Sequence, residues 1–208
     1  VLISCSSGCP IGCKMCYLSD KEKYPYTPIK EHDLFMNIIE AIQHKLKEDH
    51  RLKDNFIKLC WMGMGDCFLA LEKTFNVTRA VLEYVISNNL ALGLDGVDLG
   101  TTFPKKYSDL KELNKLNMYL QKFKRNHFNN KERSALRVFY SLHRPDVNRD
   151  KYLIPNTIPY TDAIDKLTAM KELCGIDVVF HQLFLENATD MNWVQNELKD
   201  LFNYQLKD

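Results

Sequence analysis

No run of about 18 apolar residues, the length a helix needs to cross a bilayer, occurs anywhere in this sequence, so nothing in it reads as a membrane span. Nor is there an excess of charge of either sign: 28 Lys and Arg face 27 Asp and Glu, for a formal net charge of +1 and a pI near 7.7. Global charge therefore does not select nucleic acid as a partner; only a local basic patch could. Compositional bias is absent too, since 45% hydrophobic and 26% charged residues is ordinary globular usage, which excludes disorder, collagen and coiled coil. The sequence opens without an initiator Met on an apolar run, and no signal peptide is visible in it, though a cropped N-terminus would have lost one. We therefore expect the 208 residues to be a single domain, 1–208, truncated at both ends and long enough to bury a core without disulfides. The even, dispersed cysteines of an oxidised secreted protein are also lacking. Seven cysteines are present, four of them between Cys5 and Cys16. That crowding points to a reducing, cytoplasmic setting and to a metal.

Apolar runs alternate with helical periodicity along the chain. Residues 1–4, 56–62, 96–100, 134–142 and 176–185 read as strands. Residues 29–47, 74–86, 107–121, 160–173 and 191–206 read as helices, the first with Leu34, Ile38, Ile42 and Leu46 at helical spacing. Five βα units in a row predict an α/β fold with a parallel sheet and helices packed outside it. In such folds the working residues leave the C-terminal ends of the strands. The loops in that position carry Cys9, Cys13 and Cys16, then Gly65 and Asp66, Thr101 and Thr102, Ser141 and His143, and Asn187.

Cys9, Cys13 and Cys16 have the spacing C-x3-C-x2-C. Three thiolates on one short loop can hold one cuboidal cluster, and Gly8 and Gly12 let the backbone curl so that amides reach toward sulfur. Three protein ligands for a 4Fe-4S cluster leave one iron open for a substrate or cofactor, as catalytic metal sites leave a vacancy. The bland alternatives are a zinc knuckle completed by Cys5 or His32, or simply buried thiols. Cys5, Cys60 and Cys174 read as ordinary buried cysteines. Cys67 directly follows the turn at residues 63–66, which brings it toward the candidate site.

With these residues in place the chain resembles a radical S-adenosylmethionine (SAM) enzyme, whose signature is the spacing of Cys9, Cys13 and Cys16. Met15 departs from the aromatic residue usual there. Trp61-Met62-Gly63-Met64-Gly65-Asp66 is similar to the MGMGE segment of the adenine-C2 RNA methyltransferases and their antibiotic-resistance relatives. Ser141-Leu142-His143-Arg144-Pro145, with Arg149-Asp150 and Ile154-Pro155, is similar to their SLHAP…RD…P stretch, and Asn187 sits at their strand-end Asn. The resemblance implies a partial (βα)6 barrel, with about five units here and the sixth strand missing or cropped. It implies a 4Fe-4S cluster on Cys9, Cys13 and Cys16, and SAM as the second cofactor. Gly65 and Asp66 would meet the amino group of SAM, with Asp66 in place of a Glu. Thr101 or Thr102, Ser141, His143 and Asn187 would contact its carboxylate, ribose and adenine.

The implied chemistry is one-electron cleavage of SAM to methionine and a 5′-deoxyadenosyl radical, driven by a reductant such as flavodoxin or ferredoxin. Adenine methylation in that family needs two further cysteines. One lies seven residues before the first cluster cysteine, where this chain has Leu2, and the other follows a sixth strand that this sequence does not reach. Cys5 and Cys67 remain as candidates for a catalytic thiol. An RNA partner is suggested by residues 122–133, where Lys122, Lys124, Arg125, Lys131 and Arg133 surround two Phe. Lys105 and Lys106 add a basic spot on the active edge. The alternatives are a radical SAM enzyme acting on a peptide or small metabolite, and a zinc-binding interaction module.

Overall fold

The structure, a computed structural model, describes residues 1–107, 109–127, 134–143 and 149–181. For residues 52, 124–127, 150 and 152 it describes the backbone alone. The expected final helix at 191–206, Asn187, Lys131 and Arg133 lie outside the described residues, as does the end of the strand expected at 176–185.

The first residues run beside a later strand. Leu2 bridges Cys60 in parallel, and the Ile3 amide donates to the Cys60 carbonyl at 2.8 Å while the Cys60 amide donates to that of Val1 at 2.8 Å. The strand expected at 1–4 is thus present as a single bridge. A short antiparallel pair follows, β1 (Ser6–Ser7) with β2 (Thr27–Pro28), enclosing the cysteine loop. Then come α1 (Glu31–Glu48), β3 (Phe56–Trp61), α2 (Leu71–Ser87), β4 (Gly93–Thr101), α3 (Lys111–His127), β5 (Leu136–Ser141), α4 (Tyr160–Cys174) and β6 (Asp177–His181). Strands β3, β4, β5 and β6 form one parallel sheet in that order.

Helix starts differ from the sequence expectation where side chains cap them. Asp66 accepts from the Phe68 amide at 3.0 Å and starts a 3-10 turn, Cys67–Ala70, that leads into α2 at Leu71. Asp109 accepts from the Lys111 amide at 2.9 Å, so α3 starts there and not at residue 107. Strand β4 reaches back to Gly93, because a register shift between Ile57 and Lys58 absorbs Asp95 and pairs Lys58 with Gly96. The exposed Asp95 breaks the apolar pattern by which the strand is recognised.

The two faces of the sheet have different jobs. Leu59, Trp61, Val97, Leu99, Leu136, Val138 and Tyr140 are buried in one core with Val81 and Val85 of α2, Leu116 and Leu120 of α3, and Leu167 of α4. The Trp61 indole donates to Thr78 Oγ1 on α2 at 3.1 Å, which fixes this as the helix side. Alternate positions face the other way. There Asp98 on β4 receives a two-pronged Arg137 from β5, at 2.8 and 3.0 Å, and Lys58 from β3 at 2.9 Å. A helix-packed apolar face and a polar inner face are what a segment of barrel wall presents. Among the described residues no helix is long and apolar enough to cross a membrane.

Candidate active site at the strand ends

The cysteine loop is shaped by backbone that only glycine adopts easily. Gly8 has φ +68° and Gly12 φ +80°. A Cβ on Gly8 would strike the carbonyls of Tyr24 and Pro25, so the loop is pressed against the segment that closes it. The Cys16 amide donates to the Cys13 carbonyl at 3.0 Å, the Ser19 hydroxyl donates to the same carbonyl, and a 3-10 turn, Tyr17–Ser19, ends the loop. Cys9, Cys13 and Cys16 are all free, partly exposed thiols. Burial pushes the Cys9 thiol up to about 11 and the Cys13 thiol up to about 12. Cys9 and Cys16 each add to the rise at Cys13, so the sulfurs lie within each other's field, while the Arg149 guanidinium opposes it.

That donor set fits a cuboidal iron–sulfur cluster, in which each cysteine takes a different iron. Iron supplies the positive charge these buried sulfurs lack and displaces their protons. A tetrahedral zinc is less well served. Of the two sequence candidates for a fourth ligand, the Cys5 thiol donates to the Met64 carbonyl at 3.5 Å and His32 lies exposed on α1.

A cavity of about 270 Å³ opens at the C-terminal ends of the strands. Met62, Gly63, Gly65 and Asp66 line it after β3; Gly100, Thr101 and Thr102 at the end of β4; Phe139 and Ser141 on β5; and His181 on β6. Five of the residues read from sequence as cofactor-binding therefore border one cavity: Gly65, Asp66, Thr101, Thr102 and Ser141. Gly65 has φ +89°, and a Cβ there would strike Ser6 Oγ and approach Cys5 Sγ to 2.8 Å, so this turn packs directly against the strand that enters the cysteine loop.

Asp66 is the most fully engaged group in the site. It is 3% exposed. Its Oδ1 accepts from the Phe68 amide at 3.0 Å and the Thr101 hydroxyl at 2.9 Å; its Oδ2 accepts from the Thr102 amide at 2.7 Å and the Thr102 hydroxyl at 2.9 Å. Desolvation raises its pKa, and these hydrogen bonds pull it back only in part. A carboxylate has about four acceptor positions, so Asp66 here ties the β3 turn to the β4 end and holds both threonine hydroxyls.

His143 does not border the cavity; His181, one strand over, does. The His143 amide donates to the His181 carbonyl at 3.1 Å, and its backbone is left-handed, with φ +55°. Burial, the Arg149 guanidinium and His181 together press its imidazole down to about 4, so it is neutral at physiological pH. Cys67 is buried and its thiol donates to the Gly100 carbonyl at 3.2 Å; burial also drives its pKa well up, and it does not line the cavity. Lys122 is exposed on α3 near that helix's C-terminal end. The helix starts after the C-terminal end of β4 and runs back to the start of β5, so it carries Lys122, and the backbone of Lys124 and Arg125, to the edge of the sheet opposite the cavity. Lys105 and Lys106 are exposed just beyond β4, on the cavity's own edge.

Sequence reasoning missed four residues. Met62, Phe139 and His181 line the cavity because strand alternation turns them inward, a signal that needs the strand register. Arg149 is wholly buried and sits among the strand ends; only its place in the quoted RD stretch marked it.

No protein-family model and no curated protein matches the chain. Solved structures do. A spore photoproduct lyase complexed with dinucleoside spore photoproduct matches at TM-score 0.56 and 14% identity, over 97% of this chain and 51% of that one. A spore photoproduct lyase mutant with bound AdoMet and dinucleoside spore photoproduct matches at TM-score 0.49 and 13% identity, over 86% of this chain and 44% of that one. The chain thus spans about half the length of these structures. Spore photoproduct lyase is a radical SAM enzyme, and the fold seen here is a partial radical SAM barrel. At 14% identity the likeness is one of fold.

Proposed function

We propose that this chain is the core of a radical SAM enzyme that cleaves S-adenosylmethionine reductively at a 4Fe-4S cluster. The observation that supports the reading is a C-x3-C-x2-C loop of mutually interacting, half-buried thiols whose entering strand, at Cys5 and Ser6, packs against Gly65 of the cavity wall. Cys9, Cys13 and Cys16 would hold the cluster. Cluster and SAM, when bound, supply one-electron cleavage of a sulfur–carbon bond and a carbon-centred radical. The protein's own contribution is confinement. Gly65 lets the β3 turn approach without a side chain, Asp66 locks that turn to Thr101 and Thr102, and Ser141 and His181 present polar atoms to the cavity from β5 and β6. His143, neutral at working pH, adds no charge against a sulfonium.

The substrate we infer is nucleotide-containing. Lys105 and Lys106 are exposed a few residues after β4 and suit a phosphate, and the structurally similar lyase is complexed with dinucleoside spore photoproduct. Adenine methylation is a narrower form of this reading and finds less support: Leu2 stands where that family has the first of its two further cysteines and is 71% exposed, and Cys5 turns its thiol to a backbone carbonyl. A peptide or small-metabolite substrate is favoured by one observation, the position of Lys122 and of the backbone of Lys124 and Arg125 at the end of the sheet opposite the cavity.

Anaerobic reconstitution with iron and sulfide tests the reading. We expect a brown protein that releases 5′-deoxyadenosine from SAM under dithionite, and loses both properties in Cys13→Ala. For the substrate, Lys105→Glu with Lys106→Glu should weaken binding of short RNA, whereas Lys122→Glu should not. The reverse pattern overturns the placement of a nucleic acid at the cavity mouth.

A further inference from the structure

The cysteine loop is held from behind by a segment that the proposed function leaves unused. After β5 the chain forms one turn of π-helix, Arg149–Leu153, closed by the Ile154 amide donating to the Arg149 carbonyl at 2.8 Å. From this turn two hydrogen bonds cross to the cysteine loop. The Lys14 amide donates to the Leu153 carbonyl at 2.8 Å, and the Asn156 side-chain amide donates to the Ile11 carbonyl at 3.0 Å. Both contacts fall between cluster cysteines: Ile11 lies between Cys9 and Cys13, and Lys14 between Cys13 and Cys16.

The same segment is bolted to the strand ends. Arg149, with no exposed surface, donates from Nε to the Leu142 carbonyl at 2.8 Å and from Nη2 to the Ser141 carbonyl at 2.8 Å and the Thr102 carbonyl at 3.4 Å. Its Nη1 donates to Thr157 Oγ1 at 3.1 Å, which folds the segment back on itself. Pro104 bridges Thr157, and the Lys105 amide donates to the Asn156 carbonyl at 2.7 Å. Asn156 itself has φ +62°, a conformation asparagine tolerates and most residues resist. π-turns and strained residues persist where surrounding contacts hold them and gather at functional sites.

We propose that residues 149–157 are a brace that sets the position of the cysteine loop against the cavity, with Asn156 the positioning residue at the loop and Arg149 its anchor in the sheet. The brace rests on the proposed function for its purpose, and it deepens that reading by naming what fixes the cluster relative to the strand ends that would hold SAM. A guanidinium fork reaching three carbonyls from β4 and β5 couples the two loops that border the cavity to the loop that would carry iron.

Asn156→Asp tests it. Aspartate keeps the shape and tolerates left-handed backbone, but it has no donor for the Ile11 carbonyl. In metal-free protein at mildly alkaline pH, we expect iodoacetamide to alkylate Cys9 and Cys13 about two- to tenfold faster than in the unaltered protein, the range given by loss of one hydrogen bond. Cys174 on α4 should react at an unchanged rate, and Asn156→Gly should match Asn156→Asp. In the unaltered protein the Lys14 amide should exchange with deuterium more slowly than the exposed amides of the same loop. Unchanged thiol rates in both variants, or a Lys14 amide as fast as its neighbours, overturns the brace. Neither readout needs a cofactor. A protein that takes up no cluster yet gives both results keeps the brace and loses the proposed function, and a working enzyme that gives neither loses only the brace.

Discussion

Burying Asp66 strips its carboxylate of water, and four hydrogen bonds from Phe68, Thr101 and Thr102 return part of that loss. Asp66→Asn places an amide donor among donors, and we expect it to lower unfolding free energy by about 1–3 kcal/mol even without SAM, read from urea melts. Wild-type stability in that variant would return Asp66 to the role of a pure ligand contact. His143 gives a second residue-scale outcome. Its imidazole titrates near 6.5 when unfolded and at about 4 when folded. Between those values the unfolded chain holds the extra proton, so stability falls as pH drops from about 6.5 to about 4. His143→Asn suits the left-handed backbone and should flatten that slope in melts at pH values across the window. The cysteines, Gly65 and Asp66 were legible in the sequence because their chemistry is tied to residue type and spacing. Arg149 was not, since a fully buried arginine runs against everything composition teaches about where arginines go.

At the scale of elements, each strand divides its work by parity. Val138 faces the helices and is wholly buried; Phe139 faces the cavity and is partly exposed. Val138→Ala should cost about 1–3 kcal/mol in melts, from lost burial and an unfilled cavity. Phe139→Ala should cost less in stability and shift the KM for SAM more, and the opposite ranking would mean the faces have been exchanged. The βα order, four of the helices and the four sheet strands could be read from periodicity, because parallel strands covered by helices keep dense apolar runs. The starts of α2 and α3 could not. They depend on whether Asp66 and Asp109 cap, and a capping carboxylate looks like any other before its partner amide is placed. The strand at 1–4 shrinks to one bridge, since an edge segment takes its length from its neighbour and not from its own residues.

For the whole molecule, topology decides what the charges can do. Of the basic stretch that begins at Lys122, α3 carries Lys122 and the backbone of Lys124 and Arg125 to the end of the sheet opposite the cavity. Gly65, Asp66, Thr101, Thr102 and Ser141 reach one edge because β3, β4, β5 and β6 run parallel, so their C-terminal ends lie on the same side. Polar alternation on the inner face, with Asp98 clasped by Arg137 and Lys58, keeps the wall open to ligand while the outer face supplies the core. The central claim is that three thiols on that edge carry an iron–sulfur cluster with one iron free for SAM. Its most direct measurement is the electron paramagnetic resonance spectrum of the reduced, reconstituted protein before and after SAM is added. A spectrum of a reduced 4Fe-4S cluster that changes on adding SAM, and vanishes in Cys13→Ala, is the expected result. A protein that retains zinc and no iron, or a cluster spectrum indifferent to SAM, contradicts the account.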